Sequence, residues 1–169
     1  RPVAALARRR GAGEEIADGV LFYKGIASAN TIDTGDGLVM LDTGHVIDTS
    51  ALHEEVRKWR PGAPLRAAVF SHHHVDHIFG VGPFEAEAQQ QGWARPLVYG
   101  HEGLGWNFDR YKRTLGWNAA INRRQFAIDV PQFSWPSEYR DPDVTYAKQL
   151  TFTRGNLTFE LHHARGETD

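Results

Sequence analysis

The pattern of apolar and polar positions divides the chain into short strand-like runs and longer helix-like segments. Gly, Pro, Asn and Asp bound the apolar runs, as turns between strands require. The predicted strands are Val20–Tyr23, Ala29–Thr34, Leu38–Leu41, Leu65–Phe70, Pro96–Tyr99, Leu150–Thr153 and Leu157–His162. Apolar residues at helical spacing predict helices over about 48–60 and 77–91. Strands, then strand–helix alternation, then strands again indicate a layered α/β (α+β) architecture.

An insert of different composition runs from about residue 105 to 146. It is rich in aromatic residues, asparagine and arginine, and helices are predicted near 102–114 and 117–125 before a proline-rich loop. Its aromatic side chains would either wall an apolar pocket or pack as core, and its arginines would either bind an anion or stay solvated. The side chains in question are Trp106, Tyr111, Trp117, Phe126, Arg110, Arg113, Arg123 and Arg124. We expect one of these arginines to contact substrate, and the sequence does not identify which.

Composition excludes several classes of function. A length of 169 residues fits one domain, and an apolar content of 41% is enough to bury a core. The net charge of −2, with both signs interspersed, gives no case for a nucleic-acid partner. The absence of cysteine removes disulfides and thiolate ligands, so a metal site must use histidine and carboxylate side chains. The longest apolar runs are too short for a membrane span. Cytoplasm and periplasm both remain open, as does a homo-oligomer.

The two ends of the chain carry separate expectations. Residues 1–17 are predicted to be a loose, basic N-terminal segment, and 18–169 to be one domain. The chain stops at Asp169, directly after a strand pattern and among potential ligands. We therefore expect the domain to be incomplete at its C-terminus, with a further segment or chain completing the site.

Potential metal ligands cluster directly after the predicted strand Leu65–Phe70. His72, His74, Asp76 and His77 fall within a few positions of one another. In an extended segment, alternate side chains share a face, so the first three would converge while His77 joins from the start of a helix. Imidazole with carboxylate suits zinc first, and iron or manganese less strongly. A surface histidine run is the alternative, but it would explain neither the internal aspartate nor the buried strand before it.

Three motifs resemble those of the metallo-β-lactamase-fold hydrolase superfamily. They are Leu41-Asp42-Thr43-Gly44, the cluster from His72 to Gly80, and His163-Ala164-Arg165-Gly166-Glu167-Thr168, which stands where the family usually has His-x-Pro-Gly-His-Thr. The resemblance covers roughly residues 18–169 and implies an αββα sandwich with metals at one edge of its two sheets. The glutamate in the third motif is similar to the glutamates that the alkylsulfatase branch uses around its metals.

Carried over residue by residue, the resemblance implies a dinuclear zinc site. His72 and His74 would bind the first ion, and Asp76 and His77 the second. Asp42 would orient a metal-bound histidine through a hydrogen bond. Asp76 would also orient a metal-activated water or hydroxide and help with proton transfer.

Glu167 is the departure from the family pattern, because most relatives place a third histidine of the first metal there. A carboxylate hardens the site and would shift its preference toward iron or manganese. The alternative is an ordinary surface acid near the chain end. His45 and His163 are candidates for the pocket wall or for structural hydrogen bonds. His73, between two ligands, is expected to point away from the metal.

The fold does not choose among hydrolytic activities. An ester-like or sulfate-ester substrate is the leading prediction, and the substrate would be a small molecule. β-Lactamase, lactonase, glyoxalase-type and phosphodiesterase activities are alternatives. A non-catalytic relative that keeps the cluster for a structural metal is a different class of alternative, and the intact cluster argues against it.

Overall fold

Two β-sheets and four helices make up the part of the chain that the structure describes. This computed structural model describes residues 11–130 and 132–164. One sheet holds seven strands in chain order: β1 Ala12–Ala17, β2 Val20–Lys24, β3 Ser28–Asp33, β4 Leu38–Leu41, β5 Leu65–Phe70, β6 Leu97–His101 and β7 Val144–Tyr146. The other sheet is the hairpin of β8 Gln149–Arg154 and β9 Leu157–His162. The helices are α1 Thr49–Trp59, α2 Val81–Gln91, α3 Gly103–Arg113 and α4 Leu115–Gln125.

The strand direction changes at β4, and this places the site. Strands β1 to β4 pair antiparallel, whereas β4 to β7 pair parallel. Parallel neighbours need a crossover connection, which α1, α2 and the α3–α4 pair supply. The carboxyl ends of β4, β5 and β6 therefore meet at one edge of the sheet. The next residues along the chain, Asp42, Ser71 and Glu102, begin the loops of that edge.

Both faces of the central strands are buried, because alternate side chains point into apolar clusters on opposite sides of the sheet. Leu38 and Met40 of β4 pack with Leu52 and Val56 of α1. Val39 lies on the other face and belongs to a separate apolar cluster. Because both faces are covered, these strands are apolar along almost their whole length, as central parallel strands are.

The β8–β9 hairpin covers the face opposite the helices. The Phe152 ring stacks on Tyr99 of β6 with centroids 4.2 Å apart, and Phe159 stacks on Phe152 at 5.0 Å. Arg154 donates a hydrogen bond from Nη2 to the Tyr99 hydroxyl at 2.8 Å. The large sheet is thus layered between helices and a second sheet, which confirms the predicted layered α/β class.

The first strand corrects the expectation of a loose segment through residue 17. Ala12–Ala17 pairs along β2, and Gly13 N donates to Glu55 Oε2 of α1 at 3.0 Å. Its side chains are mostly exposed, so the strand carries no apolar alternation and main-chain bonds hold it instead. Residues 1–10 lie outside the described part of the chain.

The helix after the histidine cluster begins later than predicted. It starts at Val81, and His77 lies in a turn rather than in the first helical turn. The reason is a contact from the loop after β4: Thr43 donates to the His77 carbonyl from its main-chain nitrogen at 2.7 Å and from Oγ1 at 3.1 Å. Gly80 N in turn donates to Thr43 Oγ1 at 3.1 Å. The carbonyl that would have continued a helix is therefore used in a tertiary contact.

The insert folds as two helices, as predicted, and its aromatic residues divide between two environments. Phe108 is buried and stacks on Tyr139 at 5.1 Å, whereas Trp106, Trp117 and Phe126 are exposed. The short strand β7, which the sequence did not predict, follows the proline-rich loop and pairs with β6. Neither these helices nor any other described helix has the length and apolar character needed to cross a membrane.

Tyr23 provides a test of the core beneath α1. Its side chain is fully buried, and its hydroxyl has no hydrogen-bond partner within the described residues. Burial, followed by the charges of Asp48 and Glu55, raises the pKa of Tyr23 to about 12. We expect Tyr23→Phe to leave the free energy of unfolding unchanged or to raise it by up to about 1 kcal/mol, because no bond is lost. Tyr99→Phe, which removes the Arg154 bond, should instead lower it by about 1 kcal/mol.

The same substitution has a pH signature. Tyr23 in the unfolded chain ionises near its ordinary pKa of about 10, whereas the folded chain resists ionisation up to about 12. The contribution of Tyr23 to stability therefore falls as pH rises from about 10 to about 12. Denaturant titrations should show that the free energy of unfolding falls less between pH 8 and pH 11 in Tyr23→Phe than in wild type. Destabilisation by Tyr23→Phe at pH 8 would contradict the unpartnered hydroxyl.

Candidate metal centre

The candidate site lies where the loops after β4 and β5 meet. Leu41 pairs with Val69 at the ends of these strands, and Asp42 N donates to the Val69 carbonyl at 2.9 Å. Further along, the Thr43–His77 hydrogen bonds connect the loop after β4 to the loop after β5. The two loops therefore form one bonded unit at the sheet edge.

Asp42 is the centre of that unit. Its Oδ1 accepts from Ser71 N at 2.8 Å, and its Oδ2 accepts from Ser71 Oγ at 2.8 Å and from His77 Nδ1 at 2.9 Å. Its backbone has φ +53°, a left-handed conformation that a non-glycine residue rarely adopts. Backbone strain of this kind costs free energy and tends to occur where function requires it. Here it turns the carboxylate toward the second loop.

The hydrogen bonds fix the protonation of His72. The Ser71 hydroxyl has one proton, which it donates to Asp42, so His72 Nδ1 must donate to Ser71 Oγ across their 2.8 Å contact. His72 Nε2 then carries the lone pair. That nitrogen is buried and has no hydrogen-bond partner among the described residues. Burial, then the nearby His77 and His74, lowers the pKa of His72, which keeps the ring neutral.

The rings of the cluster converge. His72 lies with its ring centroid 4.3 Å from His77 and 4.7 Å from His74. His77 Nε2 lies 3.5 Å from Asp76 Oδ2, on the side of the ring opposite Asp42. We refer to His72, His74, Asp76 and His77 as the His/Asp cluster. Contacts thus link His74 to His72, His72 to His77, and His77 to Asp76.

The donor set fits a transition metal. One ligand atom each from Asp42, His72 and His77 lie within 4.8 Å of one another. Asp42 already accepts from three donors, so its geometry suits an orienting role better than a ligand role. His72 offers a buried lone pair without a hydrogen, which is what a metal ion requires of imidazole. The residues present are therefore compatible with zinc.

His73 points away from the cluster toward α3. It is 4% exposed, and its Nε2 lies 3.2 Å from Arg110 Nη2. Its ring centroid is 5.4 Å from that of Tyr111. Burial, followed by the neighbouring His74 and Arg110, lowers the pKa of His73 to about 4.

His45 lies beside the cluster. It is buried, its Nδ1 accepts from Ile47 N at 3.2 Å, and its ring meets the edge of Trp135 at 5.1 Å. Burial lowers its pKa, and the charges of Asp48 and Asp76 partly oppose this. The influence of Asp76 on His45 places both residues in one electrostatic environment.

Of the two candidates from the third motif, His163 lies apart from the cluster, and Glu167 lies outside the described residues. His163 is exposed, and its ring lies 4.2 Å from that of His101, the last residue of β6. His101 in turn contacts the carbonyl of Ala147 through Nε2 at 3.1 Å. His163 is thus at the same sheet edge without a contact to the His/Asp cluster among the described residues.

Two residues around the cluster, Ser71 and Trp135, were not among the sequence candidates, whereas Tyr111 was one of the aromatic candidates for a pocket wall. Ser71 connects Asp42 to His72 through hydrogen bonds, Trp135 packs on His45, and Tyr111 packs on His73. Burial raises the pKa of Tyr111, the charge of Arg110 opposes this rise, and the charge of Asp76 adds to it. Ser71 had a signal in the sequence, namely its place between strand and cluster. Trp135 is brought to His45 by the loop that follows the two helices of the insert.

The chain is similar to known proteins of one superfamily. The family model described as the metallo-beta-lactamase superfamily matches residues 23–165. A linear primary-alkylsulfatase from a Pseudomonas species is 39% identical over 75 residues, which are 43% of this chain and 14% of that protein. The chain therefore spans only a small part of this relative.

Solved structures share the fold. The stereoselective inverting sec-alkylsulfatase from Pseudomonas sp. has a TM-score of 0.67 and 21% identity, over 94% of this chain and 29% of that one. A class B3 di-zinc metallo-beta-lactamase from an Alaskan soil metagenome has a TM-score of 0.59 and 15% identity, over 93% of this chain and 53% of that one. At these identities the likeness concerns the fold alone. Because the family model matches most of its length, the chain belongs to the metallo-beta-lactamase superfamily.

Proposed function

We propose that this chain carries the metal-binding edge of a metal-dependent hydrolase that cleaves sulfate esters of alkyl alcohols, or esters of similar shape. The observation that carries the proposal is the buried, unprotonated His72 Nε2 within the His/Asp cluster. The family supports hydrolysis, and the alkylsulfatase relative supports the sulfate ester. The activity is proposed for the whole protein, because the chain spans only part of its relatives' length.

Zinc is the metal we propose, as two ions, with iron or manganese as the alternatives. His72 and His74 would hold one ion, and Asp76 and His77 the other. Glu167 is proposed as a further ligand of the first. Imidazole-rich donor sets favour zinc, and the related soil-metagenome enzyme is described as di-zinc. Zinc bound there would act as a Lewis acid and would activate water near neutral pH.

The side chains of this protein would orient the metal ligands, accept a proton and exclude bulk water. Asp42 keeps the proton of His77 on Nδ1, and through Ser71 it keeps the proton of His72 on Nδ1 as well. Asp76 would accept a proton from the attacking water, because its carboxylate lies 3.5 Å from His77 Nε2. His45 and Trp135 would close this side against bulk water, and His163 would extend the pocket wall toward β6.

The first test combines metal analysis with turnover. We expect the complete protein to retain zinc on purification and to hydrolyse octyl sulfate or 2-octyl sulfate, with release of sulfate measured by ion chromatography. A carboxylic ester, a lactone, a phosphodiester and a β-lactam should be cleaved more slowly. Bound zinc without turnover of any of these substrates would instead identify a non-catalytic metal-binding relative.

Asp42→Asn tests the orienting carboxylate. Asparagine tolerates the left-handed backbone of this position, so the fold should persist. Its amide cannot accept from three donors as the carboxylate does, and we expect zinc affinity to fall by about 10–100-fold. Competition with a chromophoric chelator gives the affinity, and circular dichroism checks the fold. Asp36→Asn is the matched control, because Asp36 is exposed and pairs with Arg66 away from the cluster. Equal affinity in both variants would remove Asp42 from the site.

Asp76→Asn tests proton transfer. With zinc at a saturating concentration, we expect kcat to fall by about 10²–10⁴-fold, because an amide cannot accept the proton. Asp109→Asn on the exposed side of α3 should leave kcat unchanged, since Asp109 pairs only with the neighbouring Lys112 among the described side chains. Near-normal turnover by zinc-loaded Asp76→Asn would exclude Asp76 as the base.

A further inference from the structure

One arginine of the insert contacts His73, which lies between two members of the His/Asp cluster in the sequence. Arg110, in the last turn of α3, reaches His73 Nε2 through Nη2 at 3.2 Å. Its guanidinium also lies over the rings of Tyr111, at 5.4 Å, and of Trp106, at 5.9 Å. His73 is only 5.2 Å from His74 between ring centroids. One histidine ring thus separates Arg110 from the cluster.

Arg110 is exposed, and its described contacts give it no ionic partner. A guanidinium only donates hydrogen bonds, so His73 Nε2 must be the acceptor and the ring must be neutral in this contact. The two aromatic rings orient the guanidinium but carry no net charge. Arg57, Arg60 and Arg140, by contrast, each pair with a carboxylate. Arg110 forms no ion pair within the described part of the chain.

Its contacts also distinguish Arg110 from Arg113 and Arg124 of the insert. Arg113, one turn onward, donates through Nε to the main-chain carbonyl of Asp109 at 3.1 Å and has no contact with the histidines among the described residues. Arg124 lines an open surface together with Ile121 and Gln125. Of these three arginines, Arg110 is the one with a described bond to a histidine beside the cluster.

We propose that Arg110 binds the anionic head group of the substrate, and that His73 is the positioning residue that holds it in place. This proposal rests on the proposed function. The His73 bond uses one N–H, and the remaining donors of the planar guanidinium suit two oxygens of a sulfate group. Trp106 is 64% exposed beside it and would contact the alkyl chain. Specificity for a charged, tetrahedral head group would therefore reside in the insert rather than in the metal ligands.

Direct binding tests Arg110 without turnover. The zinc-loaded complete protein is titrated with octyl sulfate and with neutral octanol in a calorimeter, at low salt and below the micelle concentration. We expect Arg110→Gln to weaken octyl sulfate binding by about tenfold or more, because a charged hydrogen bond is lost, and to change octanol binding by less than about twofold. The octyl sulfate affinity of Arg110→Lys should lie between those of wild type and Arg110→Gln, since lysine keeps the charge but not the planar pair of donors. Arg113→Gln is the matched control and should bind both ligands as wild type does.

The outcomes separate the two proposals. Equal octyl sulfate affinity in wild type and Arg110→Gln, or an equal loss for octanol, would overturn the role of Arg110. If the selective loss occurs while no sulfate ester is hydrolysed, Arg110 binds an anion and the hydrolase proposal fails. If sulfate esters are hydrolysed and Arg110→Gln alters neither their KM nor their binding, the hydrolase stands and the Arg110 proposal fails.

His73 is tested by keeping or removing the acceptor. His73→Phe retains ring volume but cannot accept from Arg110, and we expect it to weaken octyl sulfate binding by about three- to tenfold with zinc content unchanged. His73→Gln retains an acceptor oxygen and should recover most of the affinity. In turnover, the effect of His73→Phe should fall on KM rather than on kcat. Wild-type affinity and KM in His73→Phe would exclude the positioning role.

Discussion

The carboxylate of Asp42 joins the two loops on which the candidate site depends. It accepts two hydrogen bonds from Ser71 and one from His77, so residues 29 and 35 positions away are fixed to the end of β4. Three hydrogen-bond donors offset the free-energy cost of partly burying the Asp42 carboxylate, and without them this cost would not be compensated. The left-handed backbone at Asp42 is the local strain that this arrangement requires. Because Ser71 passes the bond to His72, one carboxylate sets the protonated nitrogen of two rings.

Close packing behind the carboxylate makes the unit rigid. Gly80 lies directly against the main chain of Thr43, and an added Cβ there would collide with the Thr43 carbonyl oxygen. The same threonine binds the His77 carbonyl through both its nitrogen and its hydroxyl. The cluster loop is therefore tied to the β4 loop at its start, through Ser71, and at its end, through His77 and Gly80.

Features encoded within a short stretch of sequence could be predicted, and those created by contacts between distant stretches could not. The apolar runs of β4 and β5 and the sequence from His72 to His77 give the strands, the sheet edge and the potential ligands. β1 could not be predicted, because its exposed side chains show no alternation and its stability comes from main-chain pairing. The turn at His77 could not be predicted either, since Thr43, 34 residues earlier, takes the carbonyl that a helix would use.

The His/Asp cluster and the surface around Arg110 and Trp106 have different physical requirements. Ligand atoms of a metal must hold their places within a few tenths of an ångström, and a short loop bonded at both ends provides that precision. Recognition of a head group and an alkyl chain needs charge and apolar surface that differ from one substrate to another. Arg110 and Trp106 lie on a helix that contacts the cluster through His73 and carries no cluster residue itself. Under the proposed function, substitutions on that helix would therefore alter substrate binding without disturbing the hydrogen bonds around Asp42, and the same His/Asp cluster would serve substrates of different chemistry.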